Sequence, residues 1–252
     1  MSRPFEELVE EAQAAPIHGW DFSWLDGRAT EERPSWGYSK LLAGRASNVA
    51  SFLDLQTGGG ELLSGLPCLP ALTVATEGWE PNARAATRRL AGRAWVVSAA
   101  DDAPELPFGS GSFELISSRH PVNNWWTEIA RVLKPGGKFL SQQVGPYSMN
   151  EVTEFFMGPQ TGPSGREPEV ARSEAESAGL LVDLVRSERL RATFSDVGAV
   201  VYFLRLVIWI VPGFTVESYR DRLEEMHHRI ERDGPFVSHA TRFLIEATRP
   251  VN

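Results

Sequence analysis

The residues most able to do chemistry lie in one stretch, Ser51-Phe-Leu-Asp-Leu-Gln-Thr-Gly-Gly-Gly-Glu61. An apolar run from Val49 to Leu55 reads as a buried strand, three consecutive glycines break it, and Glu61-Leu-Leu opens a helix. A strand that passes through a glycine turn into a helix brings backbone N–H groups to a helix N-terminus, where they hold an anionic or polar ligand. Glycine suits the turn because it adopts positive φ and leaves no side chain in the ligand's way. Glycine turns also punctuate ordinary loops, so the turn gains its weight from the next strand. The run Leu72-Thr-Val-Ala-Thr76 reads as that second strand and ends on Glu77. The acid stands roughly 20 residues past the glycines, the spacing at which a doubly wound fold sets a carboxylate beside a ribose diol. The plainer reading of Glu77 is a solvated acid at a strand end.

Here the sequence resembles the class I S-adenosylmethionine-dependent methyltransferases, in particular the small-molecule, type 11-like group with the pattern Asp-x-Gly-x-Gly-x-Gly. Asp54, Gly58 and Gly60 match, and Gln56 stands where the first glycine is usual. Asp102-Ala-Pro-Glu-Leu-Pro-Phe108, followed by Gly111-Ser-Phe-Glu114, resembles the family segment whose acid contacts the adenine amino group. Arg131-Val-Leu-Lys-Pro-Gly-Gly137 resembles the turn into the family's fifth strand and is the most specific match. The resemblance covers about residues 48 to 145 and the final strand; the N- and C-terminal extensions carry no assignable motif. It implies S-adenosylmethionine as cofactor and S-adenosylhomocysteine as product. Gly58 and Gly60 then approach the cofactor, Glu77 takes its ribose hydroxyls, Asp102 accepts from the adenine amine, and Trp79 lies against the adenine face. Asp54, Gln56, Ala103 and Arg119 complete the implied cofactor set, Arg119 holding the cofactor carboxylate or an acidic acceptor. If position 56 requires positive φ, a non-glycine residue there costs on the order of 1 kcal/mol. If not, the Gln56 amide adds a hydrogen bond to the methionine end of the cofactor.

Methyl transfer from a sulfonium is a displacement in which the protein supplies alignment, desolvation and sometimes a base. His120, which comes after Arg119 at the end of a strand, is the best placed histidine, because an imidazole titrates near neutrality and takes a proton from a phenol, hydroxyl or amine. The competing reading is a structural hydrogen bond. His227 and His228 are adjacent, so on a helix they face different ways and make a poor metal pair. With no Cys/His cluster and no spaced carboxylates, no metal is expected. Trp24, Trp36, Tyr38 and Tyr202 are the candidate acceptor contacts. The aromatics between Trp20 and Tyr38 either staple N-terminal helices to a sheet or form a lid and pocket wall.

These residues need elements to carry them. From 48 to 145 strand and helix alternate, which implies a parallel sheet covered on both faces. Strands are expected over 49–55, 72–76, 94–99, 113–118 and 137–144, a further strand over 180–190 and a last, antiparallel one over 243–247. In such a sheet ligands bind at the carboxyl ends of the strands, which brings Gly58, Glu77, Asp102 and His120 to one rim. Helices are expected over 4–14, 81–90, from Trp125 to about Leu133, and over 168–179, with 146–167 as a loop. Two more begin near Asp196 and at Thr215, the second presenting Val216, Tyr219, Leu223, Met226 and Ile230 as one apolar stripe. The expected fold is therefore α/β, a Rossmann-like doubly wound seven-stranded sheet, mostly parallel, with N-terminal helices and a helical insertion before the last strand. One domain, 1–252, is expected. It divides into an N-terminal lid (1–47), the core (48–194), the insertion (195–238) and the last strand (239–252).

A net charge of −8 over 252 residues argues against a general nucleic-acid binder, whose footprint would be a basic face, and leaves a local basic patch open. The cations are nearly all arginine, with lysine only at 40, 134 and 138. Cys68 is the single cysteine and has no internal partner, which points to a reducing cytoplasm and a small buried or half-buried residue. No signal peptide is evident, and the most apolar run, Ala199 to Val211, is broken by Arg205 and too short to cross a bilayer. The expected partner is a small, bulky or aromatic acceptor methylated on O or N, without nucleic acid or membrane, by a monomer or homodimer. Two readings compete: a cofactor-binding scaffold that no longer methylates, or a fold put to another reaction, and, more distantly, an RNA methyltransferase.

Overall fold

Strand β2 (Ser51–Leu55) is buried at all five positions, as a central parallel strand covered on both faces must be. It leads through the glycines into a short helix, α3 (Glu61–Ser64), and on to β3 (Leu72–Glu77). Helix α4 (Glu80–Arg89) starts with a glutamate and a proline, closes with Arg88 and Arg89 as its dipole favours, and is followed by β4 (Trp95–Ser98). After β5 (Phe113–Arg119) and α5 (Trp126–Val132) comes β6 (Leu133–Val144). The Lys134–Gly137 turn forms a bulge at its start, where pairing jumps from Phe113↔Leu133 to Leu115↔Lys138. The structure, a computed structural model, describes residues 3–17, 19–98, 105–161 and 165–251.

The remaining elements are α1 (Phe5–Ala14), β1 (Ala29–Glu31), α2 (Tyr38–Ala46), α6 (Asn150–Met157), α7 (Pro168–Ser177), β7 (Leu181–Phe194), α8 (Val197–Leu206), α9 (Arg220–Asp233) and β8 (Phe236–Thr248). The strands take the order β1-β7-β8-β6-β5-β2-β3-β4. β2 runs parallel to β3 and β5, β3 to β4 and β5 to β6, while β8 is antiparallel to β6 and β1 to β7. From β2 the chain moves outward through β3 and β4, then returns to the other side of β2 for β5 and β6. The reversal lies between β2 and β5, where an open α/β sheet leaves a crevice at its carboxyl edge.

The chain forms two compact units: residues 1–33, 146–164 and 189–241 in one, and 34–145, 165–188 and 242–252 in the other. In the second, the pleat sends neighbours to opposite layers. Leu53, Ile116, Phe139 and Ile245 pack on one side with Trp126, Ile129 and Ala175. Phe52, Leu115, Leu140 and Leu244 pack on the other with Leu42, Leu63 and Leu90. The first unit has its own core, in which the apolar face of α9 (Leu223, Met226, Ile230) meets the buried helix α8. Asp196 caps α8 by accepting from Ala199 N at 2.9 Å, and the Arg205 guanidinium is spent on the carbonyls of Ala12 and Ala15.

Several expectations change. Among the described residues the sheet has eight strands rather than seven, because Ala29–Glu31, for which no element is expected from the sequence, pairs with residues 192–194. Residues 150–157, read as loop between glycine- and proline-rich flanks, form α6 and bury Val152 and Phe156. The last helix begins at Arg220 instead of Thr215, since Thr215 Oγ1 accepts from Ser218 N at 3.0 Å and closes a turn first. The last strand starts at Phe236, earlier than its apolar centre suggests. Cys68 is exposed rather than buried, lying in the segment between α3 and β3.

Candidate active site

Two of the three glycines after β2 have separate tasks. Gly58 (φ 65°) faces open space, with no atom of the described residues beyond its chain neighbours within 4 Å of where a Cβ would stand. At Gly60 (φ 80°) a Cβ would meet Ala86 of α4 and Leu90, just past its end, at 3.1 to 3.3 Å, so its lack of a side chain lets the loop close onto that neighbourhood. Glu77, at the end of β3 and only 6% exposed, ties the loop down. Its Oε2 accepts from Gly58 N at 2.7 Å and its Oε1 from Trp79 N at 3.0 Å. The carboxylate therefore bridges the carboxyl ends of β2 and β3, and Trp79, half exposed, stands beside it before α4.

Beneath the loop, Asp54 is 2% exposed and accepts from the Ser117 hydroxyl of β5. Burial raises its pKa from 3.8 to about 6, opposed by the Ser117 and Thr57 hydroxyls and by Arg119. Thr57 Oγ1 lies close enough to contribute to this balance but is buried without a hydrogen bond of ordinary geometry. Above it, Arg119 ends β5 on the exposed rim with no hydrogen-bond or ion-pair partner among the described residues.

Position 56 does require positive φ: Gln56 sits at 54°, a conformation that costs a non-glycine residue on the order of 1 kcal/mol. Its side chain is not free for a ligand in this conformation. Oε1 accepts from Val122 N at 2.6 Å and Nε2 donates to Asn123 O at 2.7 Å. The amide thus spans the crevice between the ends of β2 and β5. His120, just past the end of β5, has the same strained geometry (φ 55°) and is pinned by its own N–H to Gln142 O at 2.7 Å.

The tautomer of His120 is set by its neighbours. Trp36 Nε1 donates to Gln142 Oε1 at 2.8 Å, which turns the amide nitrogen of Gln142 toward His120 Nε2, 2.9 Å away. That ring nitrogen must accept, so the proton sits on Nδ1. Part of the residue remains at the surface. Withdrawal of the ring from water, then the Arg242 and Arg119 guanidiniums, push its pKa well below 6.5. His120 is therefore neutral at pH 7, with its lone-pair nitrogen engaged by an amide.

The structure brings Asp54, Gln56, Gly58, Gly60, Glu77, Trp79, Arg119 and His120 to the carboxyl edge of the sheet; Asp102 and Ala103 lie outside the described residues. Arg131, in the segment that carries the family motif, explains part of what that motif does. Paired with Glu128 at 2.6 Å, it donates to the carbonyls of Leu106 and Phe108, while Glu128 accepts from Leu106 N. The pair anchors the chain just after Asp102 and Ala103. Trp36 and Tyr38 are buried, and the Tyr38 hydroxyl is used on the carbonyls of Ser118 (2.9 Å) and Leu140 (3.1 Å). Desolvation and then the nearby Asp54 charge raise its pKa well above 10. Trp24 and Tyr202 belong to the other unit, stacked at 4.6 Å with Arg28 over the indole at 4.0 Å. The Tyr202 hydroxyl donates to Asp21 O at 3.2 Å. Sequence reasoning missed Ser117, Gln142, Glu128 and the structural work of Arg131; a polar side chain inside an apolar strand was the available signal for the first two.

Residues 53–141 match the family model of the methyltransferase domain. No curated protein matches the chain. Among solved structures, it is similar to a Bacillus halodurans protein assigned as a methyltransferase (17% identity, covering 86% of this chain and 99% of that one, TM-score 0.61). It also resembles a Galdieria sulphuraria protein assigned as a sarcosine dimethylglycine methyltransferase (17%, 86% and 84%, 0.53) and the 4+2 cyclase SpnF (17%, 98% and 93%, 0.53). At these identities the likeness concerns the fold, an α/β sheet of the Rossmann-like type. The glycine turn and the strand-end acid lie inside the matched segment, so residues 53–141 resemble a methyltransferase domain in both sequence and fold.

Proposed function

We propose that the protein transfers a methyl group from S-adenosylmethionine to O or N of a small, bulky or aromatic molecule. The observation that carries this reading is the rim at the ends of β2, β3 and β5. Among the described residues Gly58 opens onto free space, Glu77 lies within hydrogen-bond reach of its N–H, and Arg119 has no side-chain partner. These residues fit the cofactor: Glu77 for the ribose hydroxyls, Gly58 and Gly60 for close backbone approach, Trp79 for the adenine face and Arg119 for the carboxylate. Asp102 and Ala103 are assigned the adenine edge. When bound, the cofactor supplies an electrophilic methyl; the chain aligns the acceptor and holds protons. His120, neutral at pH 7, accepts the acceptor's proton once the Gln142 amide yields its Nε2. Trp36, which reaches His120 through Gln142, and Tyr38 are proposed as acceptor-side residues of this unit. The acceptor is a small molecule, and the setting cytoplasmic.

Calorimetric titration with S-adenosylmethionine and S-adenosylhomocysteine tests this. Saturable binding of both is the expected result; a folded sample that binds neither refutes the reading. One observation favours a second reading, a cofactor-binding scaffold without transferase activity: Gln56 replaces a glycine and spans the crevice. The fold admits other chemistry, since SpnF, with a similar structure, is a cyclase. Binding of both ligands without methylation of any aromatic or amine acceptor favours that second reading.

A further inference from the structure

The crevice at the reversal of strand order is crossed by the side chain of Gln56. Leu55, the residue before it, is paired with Ser118, two residues before His120, so the loops that leave β2 and β5 emerge side by side. Gln56 joins them with both ends of its amide, accepting from Val122 N and donating to Asn123 O. It does so from a left-handed backbone conformation, and His120 opposite is held in the same conformation. Both Gln56 bonds lie at the exposed edge, where water competes for the same groups. The contact therefore combines stored backbone strain with two weak bonds, a balance that small changes in bound ligand can tip.

We infer that Gln56 is a latch that sets cofactor affinity and entry rate. Its amide occupies the crevice mouth and must leave Val122 and Asn123 before an adenosyl sulfonium or thioether settles against Gly58. When it leaves, Val122 N–H and Asn123 C=O become available to the polar end of that ligand, near Arg119, whose guanidinium has no partner among the described residues. The latch rests on the cofactor reading proposed for this rim and adds a determinant that the family's glycine at this position does not supply.

The test uses the full chain and three variants: Gln56→Gly, Gln56→Ala and Gln56→Asn. Asparagine tolerates the left-handed conformation and is one methylene too short to join both partners, so it opens the latch without added strain even if alanine impairs folding. Association of S-adenosylhomocysteine is followed by stopped-flow tryptophan fluorescence, and exchange of the Val122 amide by hydrogen–deuterium exchange without ligand. Opening the latch should speed association and tighten binding roughly three- to tenfold, corresponding to about 0.7–1.4 kcal/mol. It should also speed Val122 exchange. Equal association rates and affinities in all four chains, or unchanged Val122 exchange, overturn the latch and leave the cofactor site standing. Binding by none of the four removes the cofactor reading and the latch together.

Discussion

Replacing Asp54 with asparagine tests whether the buried carboxylate beneath the glycine loop weakens the fold at neutral pH. Burial raises its pKa from 3.8 to about 6, so the folded protein holds this proton more tightly than the unfolded chain does. The stabilisation from the group is then fully present below pH 3.8 and lost as pH rises through about 6. The two pKa values are separated by about 3 kcal/mol of differential stability. Asparagine has the same shape, and its oxygen still accepts from the Ser117 hydroxyl. Its new N–H meets a buried neighbourhood in which Thr57 Oγ1 has no partner. The variant should therefore be more stable than the parent at pH 8 by up to about 3 kcal/mol, with the difference closing between pH 6 and pH 4. Urea unfolding at closely spaced pH values, compared at constant slope, measures it. A difference that does not vary with pH, or a variant less stable at pH 8, refutes the assignment of a proton-retaining, desolvated Asp54.

Glu77→Ala removes the acceptor of both Gly58 N and Trp79 N; S-adenosylhomocysteine affinity should fall at least several-fold, about 1 kcal/mol or more. Asp102→Ala should do the same by calorimetry, and unchanged affinity in both variants would show the rim to be wrongly assigned. His120→Gln should lower turnover while leaving cofactor affinity intact. Because the folded pKa of His120 lies well below 6.5, the parent rate should stay flat as pH falls from 8 to 6.5; a limb near 6.5 that vanishes in the variant contradicts that environment. In the other unit, Glu151 accepts from His239 Nδ1, His239 N and Ser238 Oγ and pairs with Arg189, and its pKa is lowered to about 2. The stability it contributes is present above pH 4.5 and lost as pH falls through about 2. Discounted for its solvent exposure, it makes Glu151→Gln destabilising by about 1 kcal/mol at pH 7, and a melting temperature unchanged at pH 7 would show the cluster to be inert.

How much of the molecule is legible in its sequence differs between backbone and site. The strand–glycine–helix passage and the acid at the end of β3 are legible because periodicity and glycine report local backbone demands. Helix α6 is not, because the glycines and prolines around it set its ends while its burial depends on residues far along the chain. The short strand β1 has no pattern of its own; three residues become a strand only because residues 192–194 offer a partner. Within the site, identities are legible and partners are not. Gln56 is visible as a departure from a glycine pattern, yet the sequence leaves both outcomes open, and only the φ of 54° decides between strain and a relaxed turn.

The partners also change the meaning of the charges. The chain carries net charge −8, yet the described acids of the rim are not free surface carboxylates. The Glu77 carboxylate is occupied by two backbone N–H groups, the Asp54 carboxyl is buried with a pKa near neutrality, and Gln56, Asn124, Gln142 and Gln143 line the neighbouring positions as neutral amides that satisfy one another or the loops. At the ends of β2, β3 and β5 the Arg119 guanidinium faces outward with no hydrogen-bond or ion-pair partner among the described residues. A ligand with a carboxylate at one end and a hydroxylated ring at the other can meet this guanidinium locally whatever the sign of the chain's total charge, because nearby charges outweigh distant, screened ones. Arg119→Gln should consequently weaken S-adenosylhomocysteine more than adenosine, and equal losses for the two ligands would show that Arg119 does not read the carboxylate.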